Sequence, residues 1–254
     1  MWVFPLRQHR VKDMSLKLKA PPLVPRPATA NRLLASLAPD DLALITAHLE
    51  AVHLTLRDVL YDPGSEIEHV YFPTTGCVSM IQATDNGSVE VGTIGFEGLV
   101  GVPVLLRADS EPTRALVQVE GAAYRIASPD FLMVIERSDP MERIFLRYAL
   151  ALFNQVAQSV VCNRLHSLEE RCARWLLITH DRVDGDEFTL TQEFLSYMLG
   201  VHRPAVTLAA GILQHAGFIH YSRGRITVMD RPGLEGASCG CYQATRDNYT
   251  LLAS

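Results

Sequence analysis

The residues best suited to chemistry lie in one stretch, residues 189–231, TLTQEFLSYMLGVHRPAVTLAAGILQHAGFIHYSRGRITVMDR. Thr191 is placed to cap a helix running to Leu199, its hydroxyl accepting a first-turn N–H. Gly200 breaks that helix, because a left-handed or close-packed turn favours glycine. Val201 plugs the turn, and His202-Arg203-Pro204 opens a second helix with Pro204 in its first turn, where a missing N–H costs nothing. Val206, Leu208, Ala209, Ile212 and Leu213 are the expected buried side of this second helix. Gly217 stops it, and Phe218–Tyr221 and Arg225–Val228 read as strands around Ser222-Arg223-Gly224. Helix, glycine turn, helix and short hairpin is the layout of a winged helix-turn-helix, whose second helix brings its N-terminal turn to base edges in a major groove. Arg203 sits in that turn and suits a bidentate contact to guanine. His202 and Thr207 lie on or beside the same face. Arg223 and Arg225 on the hairpin suit backbone phosphates, which position a protein without reading sequence. Thr191 and Gln192, at the start of the first helix, offer donors to the same backbone.

The elements that must carry these groups are legible upstream. Leu33, Leu34, Leu37, Leu42, Ile45 and Leu49 recur at helical spacing from Asn31 to about His53, around a turn at Ala38-Pro39-Asp40-Asp41. Short alternating runs follow at 59–61, 69–72, 78–82, 88–94, 115–119 and 123–126, separated by Asp62-Pro63-Gly64, Thr75-Gly76 and Asp85-Asn86-Gly87. Asn-Gly between alternating runs is a hairpin signal, and strands this short and close predict a small antiparallel barrel or jelly roll. Residues 140–166 then predict one long helix. Met141, Phe145, Tyr148, Leu152, Val156 and Val160 form its stripe, with Ile144 beside them. Ala149, Phe153, Ala157 and Val161 widen it beyond one packing surface. These residues are therefore the expected dimerisation face, packed on their own domain and on a partner helix. A second helix, Leu168 to about Thr179, ends in the acidic loop Asp181–Glu187.

Composition bounds the rest. The chain has 254 residues, 48% hydrophobic and 20% charged, enough to bury a core. Its net charge of −5 is uneven: +6 over residues 1–32, −12 over 33–190, +2 over 191–231 and −1 over 232–254. Residues 1–30 hold five prolines and every lysine, as suits a flexible basic arm, and Met14 is a second candidate start. No uninterrupted apolar run approaches the roughly 18–20 residues of a membrane span. Arg7 and Arg10 break the apolar centre that a signal peptide needs. Five cysteines (77, 162, 172, 239 and 241) in no framework spacing read as reduced thiols of a cytoplasmic protein. Cys239-Gly-Cys241, with no His or further Cys nearby in the chain, reads as a poor metal site. His48, His53 and His69 are the histidines available for haem ligation, and none is singled out. An enzyme on a cupin-like roll is excluded by ligand count, since no His-x-His pair occurs.

The chain resembles the Crp/Fnr superfamily of transcription regulators from Asn31 to Gly233. The most specific match is LTQEFLSYMLGVHRPAVTLAAGILQHAGFI with YSRGRITVMDR; VLYDPGSEIEHVYFPTTGCVSMI and GTIGFEGLVG match more weakly. The resemblance implies an α+β fold: an N-terminal antiparallel, jelly-roll-like β-roll sensory domain, a long dimerisation helix and a C-terminal winged helix-turn-helix. The implied boundaries are a basic arm at 1–30, the roll at 31–137, the dimerisation helix at 138–166, the winged helix at 167–233 and a tail at 234–254. It further implies a homodimeric regulator whose effector acts through the helix and a hinge near Leu165-His166-Ser167. Double-stranded DNA and RNA polymerase are the implied partners. One departure matters: the family's acidic residue after the first reading arginine, and its second arginine, are here Pro204 and Leu208. Cyclic-nucleotide binders of the family use a glycine–glutamate step and a later arginine–serine pair. Here Gly95-Phe96-Glu97-Gly98 is followed by Thr113-Arg114, one position out of phase, and a one-residue shift in a strand reverses the side chain's face. Glu97, Gly98, Thr113 and Arg114 are therefore candidates for some other effector. With no cysteine before Cys77, no iron–sulfur signature is present, and no cofactor is expected. A signalling module whose helix-turn-helix docks on protein remains the alternative, distinguished by weaker salt dependence.

Overall fold

The structure, a computed structural model, describes residues 26–84 and 87–250. Most of the expected basic arm, Met14, Asp85-Asn86 and the last four residues lie outside the described residues.

A 3-10 turn at Ala28–Ala30 leads to helices α1 (Arg32–Ala35) and α2 (Pro39–Thr46). Asn31 caps α1, accepting from the Leu34 N–H, and its amide donates to the carbonyls of Pro73 and Gly98, both at 2.8 Å. The helix expected to reach His53 stops at Thr46. Residues Glu50–Leu54 form strand β1 instead, because pairing with β7 overrides a leucine spacing that suits either element. Strands β2 (Val59–Tyr61), β3 (His69–Pro73), β4 (Cys77–Thr84) and β5 (Gly87–Ile94) follow. Helix α3 (Val102–Leu105) precedes β6 (Thr113–Val119) and β7 (Gly121–Ala127), and α4 (Ser128–Ile135) closes the unit. Two antiparallel sheets result, β1-β7-β3 and β2-β6-β4-β5. They share one core with Leu54, Val70, Phe72, Val78, Ile94, Val117, Ile126 and Phe131 in it. The expected β-roll is present.

Helix α5 (Asp139–Leu165) begins where Ser138 accepts from the Met141 N–H and Pro140 fills the first turn. Its expected dimerisation stripe needs correction. Met141, Phe145, Tyr148 and Leu152 are buried in the roll core of their own chain, and Val156 is half-buried. Of the expected stripe Val160 stays open, on the next face round: Leu150 is 60% exposed, Phe153 68% and Val160 66%, with Leu146 and Ala157 also exposed. Leu146, Leu150, Phe153, Ala157 and Val160 step by four and three residues, the period of a helix seam. Two apolar faces also make one 18-residue stretch of α5 long and apolar enough to cross a membrane, although one of those faces is occupied by the roll.

The chain breaks at His166-Ser167, and a capping box between Ser167 and Glu170 starts α6 (Leu168–His180). The acidic loop ends in β8 (Glu187–Thr189), a third wing strand. Then come α7 (Gln192–Leu199), α8 (Arg203–His215), β9 (Ile219–Ser222) and β10 (Arg225–Val228), the sheet order being β8-β10-β9. Trp175, Leu176, Leu195, Leu199, Val206, Ala209, Leu213, Ile219 and Ile226 form this half's core. Residues beyond 233, expected as a tail, complete α9 (Arg231–Ala237) and form α10 (Cys241–Thr250). Helix α10 lies on α5: the Tyr249 hydroxyl donates to Gln155 at 2.9 Å, and its ring stacks on Tyr148.

Candidate nucleic-acid interface

Helix α7 is capped as its sequence predicts, the Thr191 hydroxyl accepting from the Phe194 N–H at 3.1 Å. Gly200 ends it at φ +63°, a left-handed geometry that costs other residues about 1–2 kcal/mol. Helix α8 then starts at Arg203 with Pro204 in its first turn. The buried side of α8 is Val206, Ala209, Ala210 and Leu213. Leu208 and Ile212, expected inside, are 71% and 53% exposed. A helix with core on one side only has an outer face, and on α8 that face comprises Arg203, Thr207, Leu208, Gly211 and Ile212.

The structure brings four of the expected contact residues together. Thr191, Gln192, Arg203 and Arg223, with Tyr221 and Gly224, line an open recess of about 380 Å³ between the start of α7, the start of α8 and the wing tip. The Thr207 hydroxyl stands 3.0 Å from Gln192 Oε1 and 3.1 Å from the Arg203 carbonyl, which ties the two helix starts together. The guanidiniums of Arg203 and Arg223 make no hydrogen bond or ion pair with another described residue. His202, at the N-cap of α8, is exposed and makes no side-chain capping bond. Arg225 stands apart from the recess: it pairs with Glu187 across the wing at 2.9 Å, with both side chains exposed. The wing turn has φ +49° at Arg223 and +77° at Gly224, the two left-handed positions of a type I′ turn. A glycine there is ordinary. An arginine is not, and backbone strain of this kind gathers at functional positions. Uncommitted cations around a polar recess, beside a protruding helix end, form a surface that can accept phosphate oxygens and base-edge acceptors.

A second set of polar groups is buried where the roll meets this half. Arg182, just past α6, donates to both carboxylate oxygens of Glu97, at 2.5 and 3.2 Å, and to Thr93. Burial opposes the Arg182 charge, but Glu97 more than offsets it, so the net effect raises its pKa. A Cβ at Gly95 would strike the Arg182 side chain, and one at Gly98 would strike the Tyr148 ring. The glycines of Gly95-Phe96-Glu97-Gly98 thus admit an arginine and a tyrosine. Close by, Glu90 accepts from Ser79 at 2.7 Å and from the Trp175 indole at 3.0 Å. Burial pushes its carboxyl up to about 7 against those two hydrogen bonds.

The expected effector residues are consequently not one constellation. Glu97 is committed to Arg182, and Gly98 lies under Tyr148. Thr113 pairs with Gln82 in the β6–β4 ladder, five residues along β4 from Cys77, whose Sγ accepts from Arg182, and so roughly 17 Å away at the rise of a strand. Its buried hydroxyl has no hydrogen-bond partner. Arg114 points outward and pairs with Asp62 at 2.6 Å. Glu97 also borders a cleft of about 180 Å³ with Arg32, Asp181, Arg182, Arg246 and Tyr249. Only the strand phase at Thr113-Arg114 signalled this dispersal in advance.

Cys239-Gly-Cys241 reads as a poor metal pair because no His or further Cys stands near it in the chain, and in space that premise does not hold. Cys162 and His166, at the end of α5, stand beside it, and the ligand atoms of all four residues lie within 4.8 Å of one another. Sequence separation hid the missing His and third Cys.

A Crp-like helix-turn-helix domain matches residues 170–237. Among solved structures, a Crp/Fnr-family transcriptional regulator from Eubacterium rectale is 18% identical with a TM-score of 0.64, over 82% of this chain and 98% of that one. FixK2 from Bradyrhizobium japonicum has a TM-score of 0.64 at 14% identity, over 75% and 98%. A CRP-family transcriptional regulator from Thermus thermophilus has 0.62 at 16%, over 74% and 96%. No curated protein matches the sequence. The helix-turn-helix region is thus similar to the Crp-like domain, and the fold that carries it is similar to those of Crp/Fnr-family regulators.

Proposed function

We propose that the chain is a homodimeric, sequence-specific DNA-binding transcription regulator of the cytoplasm, with no catalytic role, whose β-roll couples an effector to the α8 helices. The observation that carries this reading is the convergence of Thr191, Gln192, Arg203 and Arg223 on one open recess at the start of α8. Arg203 reads a guanine edge, and Arg223 and Arg225 hold phosphates on either side of the wing. His202 and Thr207 flank the reading position. Leu208, where the family's better-known members carry a second arginine, is exposed and offers a methyl-bearing surface to a thymine. The operator should therefore contain a G followed on the same face by T or A, and differ from the family's familiar consensus. Dimerisation uses the open α5 seam of Leu146, Leu150, Phe153, Ala157 and Val160. The two reading helices then address half-sites about 34–36 Å apart, one helical turn of DNA. RNA polymerase is the partner through which binding alters transcription. The exposed pairing of Arg114 with Asp62 supports an effector other than a cyclic nucleotide held by that arginine.

Selection of binding sites from random duplexes, followed by anisotropy titration, tests the reading. Wild type should prefer the selected site, and Arg203→Ala should lose about 1–3 kcal/mol of that preference. Equal affinity for selected and scrambled duplexes would sink the claim. The exposure of Leu208 and Ile212 favours a second reading, in which α8 docks on a protein. Affinity that stays flat as salt rises supports that reading, because DNA affinity falls steeply with salt.

A further inference from the structure

We infer that Cys162, His166, Cys239 and Cys241 bind a single zinc-class divalent ion, which pins the hinge of the long helix to the C-terminal helices. Cys162 lies in the last turn of α5, and His166 is that helix's C-cap residue, one turn further on. Cys239 precedes Gly240 in the link between α9 and α10, and Cys241 is the first residue of α10. Two segments more than 70 residues apart thus each supply a pair of donors to one spot.

The distances suit one ion. A tetrahedral ion with bonds of about 2.3 Å to sulfur and 2.0 Å to nitrogen sets neighbouring donors roughly 3.5–3.8 Å apart. Cys162 Sγ and Cys239 Sγ are 3.5 Å apart, and Cys241 Sγ is 3.5 Å from His166 Nδ1. No donor pair exceeds 4.8 Å, which leaves room for one ion and not for a cluster of several irons. The Cys162–Cys239 separation is also far outside the roughly 2.05 Å of a disulfide. Three cysteines and one histidine are a standard closed donor set for structural zinc, which soft thiolates favour over magnesium or calcium.

The surroundings fit the charge. A dication on three thiolates leaves one net negative charge. Arg174, buried and with its Nε lacking a hydrogen-bond partner, acts electrostatically on Cys162. The Gln158 amide donates to Cys241 Sγ at 3.0 Å, the kind of outer contact that orients a metal ligand. The three thiols are buried, so a bound ion is shielded from competing water.

Elemental analysis of the full chain, purified without chelator from zinc-supplemented cells, tests the assignment. One zinc per chain is expected, and cobalt-exchanged protein should show the intense visible absorption of a tetrahedral cobalt–thiolate centre. Cys239→Ser and Cys241→Ser should each weaken metal binding by at least about 100-fold, and Gln158→Ala by about 10- to 100-fold, the range for outer contacts. Cys77→Ser and Cys172→Ser, which alter the two cysteines outside the cluster, should keep one ion per chain. If a variant fails to fold, mercurial titration of wild type replaces it: one ion should be released as three thiols react. Wild type that takes up neither zinc nor cobalt overturns the assignment. So do a Cys239→Ser protein that binds the ion with undiminished affinity, a Cys162–Cys239 disulfide in protein prepared under reduction, and iron with inorganic sulfide in place of zinc.

Discussion

Arg182 and Arg203 are 21 positions apart and meet opposite fates. Arg182 is buried and saturated by Glu97 and Thr93, so its charge belongs to the fold. Arg203 is exposed at a helix start, beside a recess whose other cation, Arg223, is equally uncommitted. The difference teaches how to separate a structural arginine from a recognition arginine. A buried guanidinium must be paired where it stands, whereas one held ready for an anionic partner stays in water until that partner arrives.

The sharpest break of this contrast is Arg182→Ala. It strands Glu97 in a buried site and should cost about 3–5 kcal/mol of stability, read by urea unfolding. The double variant Arg182→Met with Glu97→Gln should recover most of that. A loss under about 1 kcal/mol for the single change would show that the pair does not hold the junction. Arg203→Ala should do the reverse, leaving stability within about 0.5 kcal/mol while base preference falls. Glu90 tests the junction through pH. Its folded carboxyl is raised to about 7, so between the ordinary carboxylate range and pH 7 the native state holds more protons than the unfolded chain. Stability from this group is therefore full at low pH and declines as pH rises towards 7. Urea midpoints measured from pH 5 to pH 8 should fall less for Glu90→Gln than for wild type, and parallel curves would remove Glu90 from the account. The smallest effect on stability is at Arg223. Asparagine tolerates its left-handed backbone, so Arg223→Asn should leave the melting temperature unchanged or slightly higher. The slope of log affinity against log salt should nevertheless drop by about 0.9 for each phosphate that the wing no longer neutralises. A lower melting temperature with an unchanged slope would make that arginine structural.

Much of the winged half was legible because its signals are local. Thr191, Gly200, Pro204 and Arg223-Gly224 declare a cap, a left-handed turn, a first helical turn and a hairpin from near neighbours alone. The leucine spacing at 33–49 misled over Glu50–Leu54, because a strand's partner lies elsewhere in the chain. On α5 and α8 the sequence showed apolar residues without showing which would be covered. Met141, Phe145, Tyr148 and Leu152 went to the roll, whereas Leu208 and Ile212 went to the surface.

By itself, then, the sequence determined the order of elements, the helix-turn-helix with its caps and turns, and Arg203 at the start of the second helix. Those follow from backbone preferences and periodicities acting over a few residues. Tertiary structure decided the rest. It chose the open face of α5, gave Glu97 to Arg182 across 85 positions, and set Cys162 beside Cys239 across 77. Side chains that far apart in the chain meet only when packed cores bring their segments together, and no local spacing encodes that meeting.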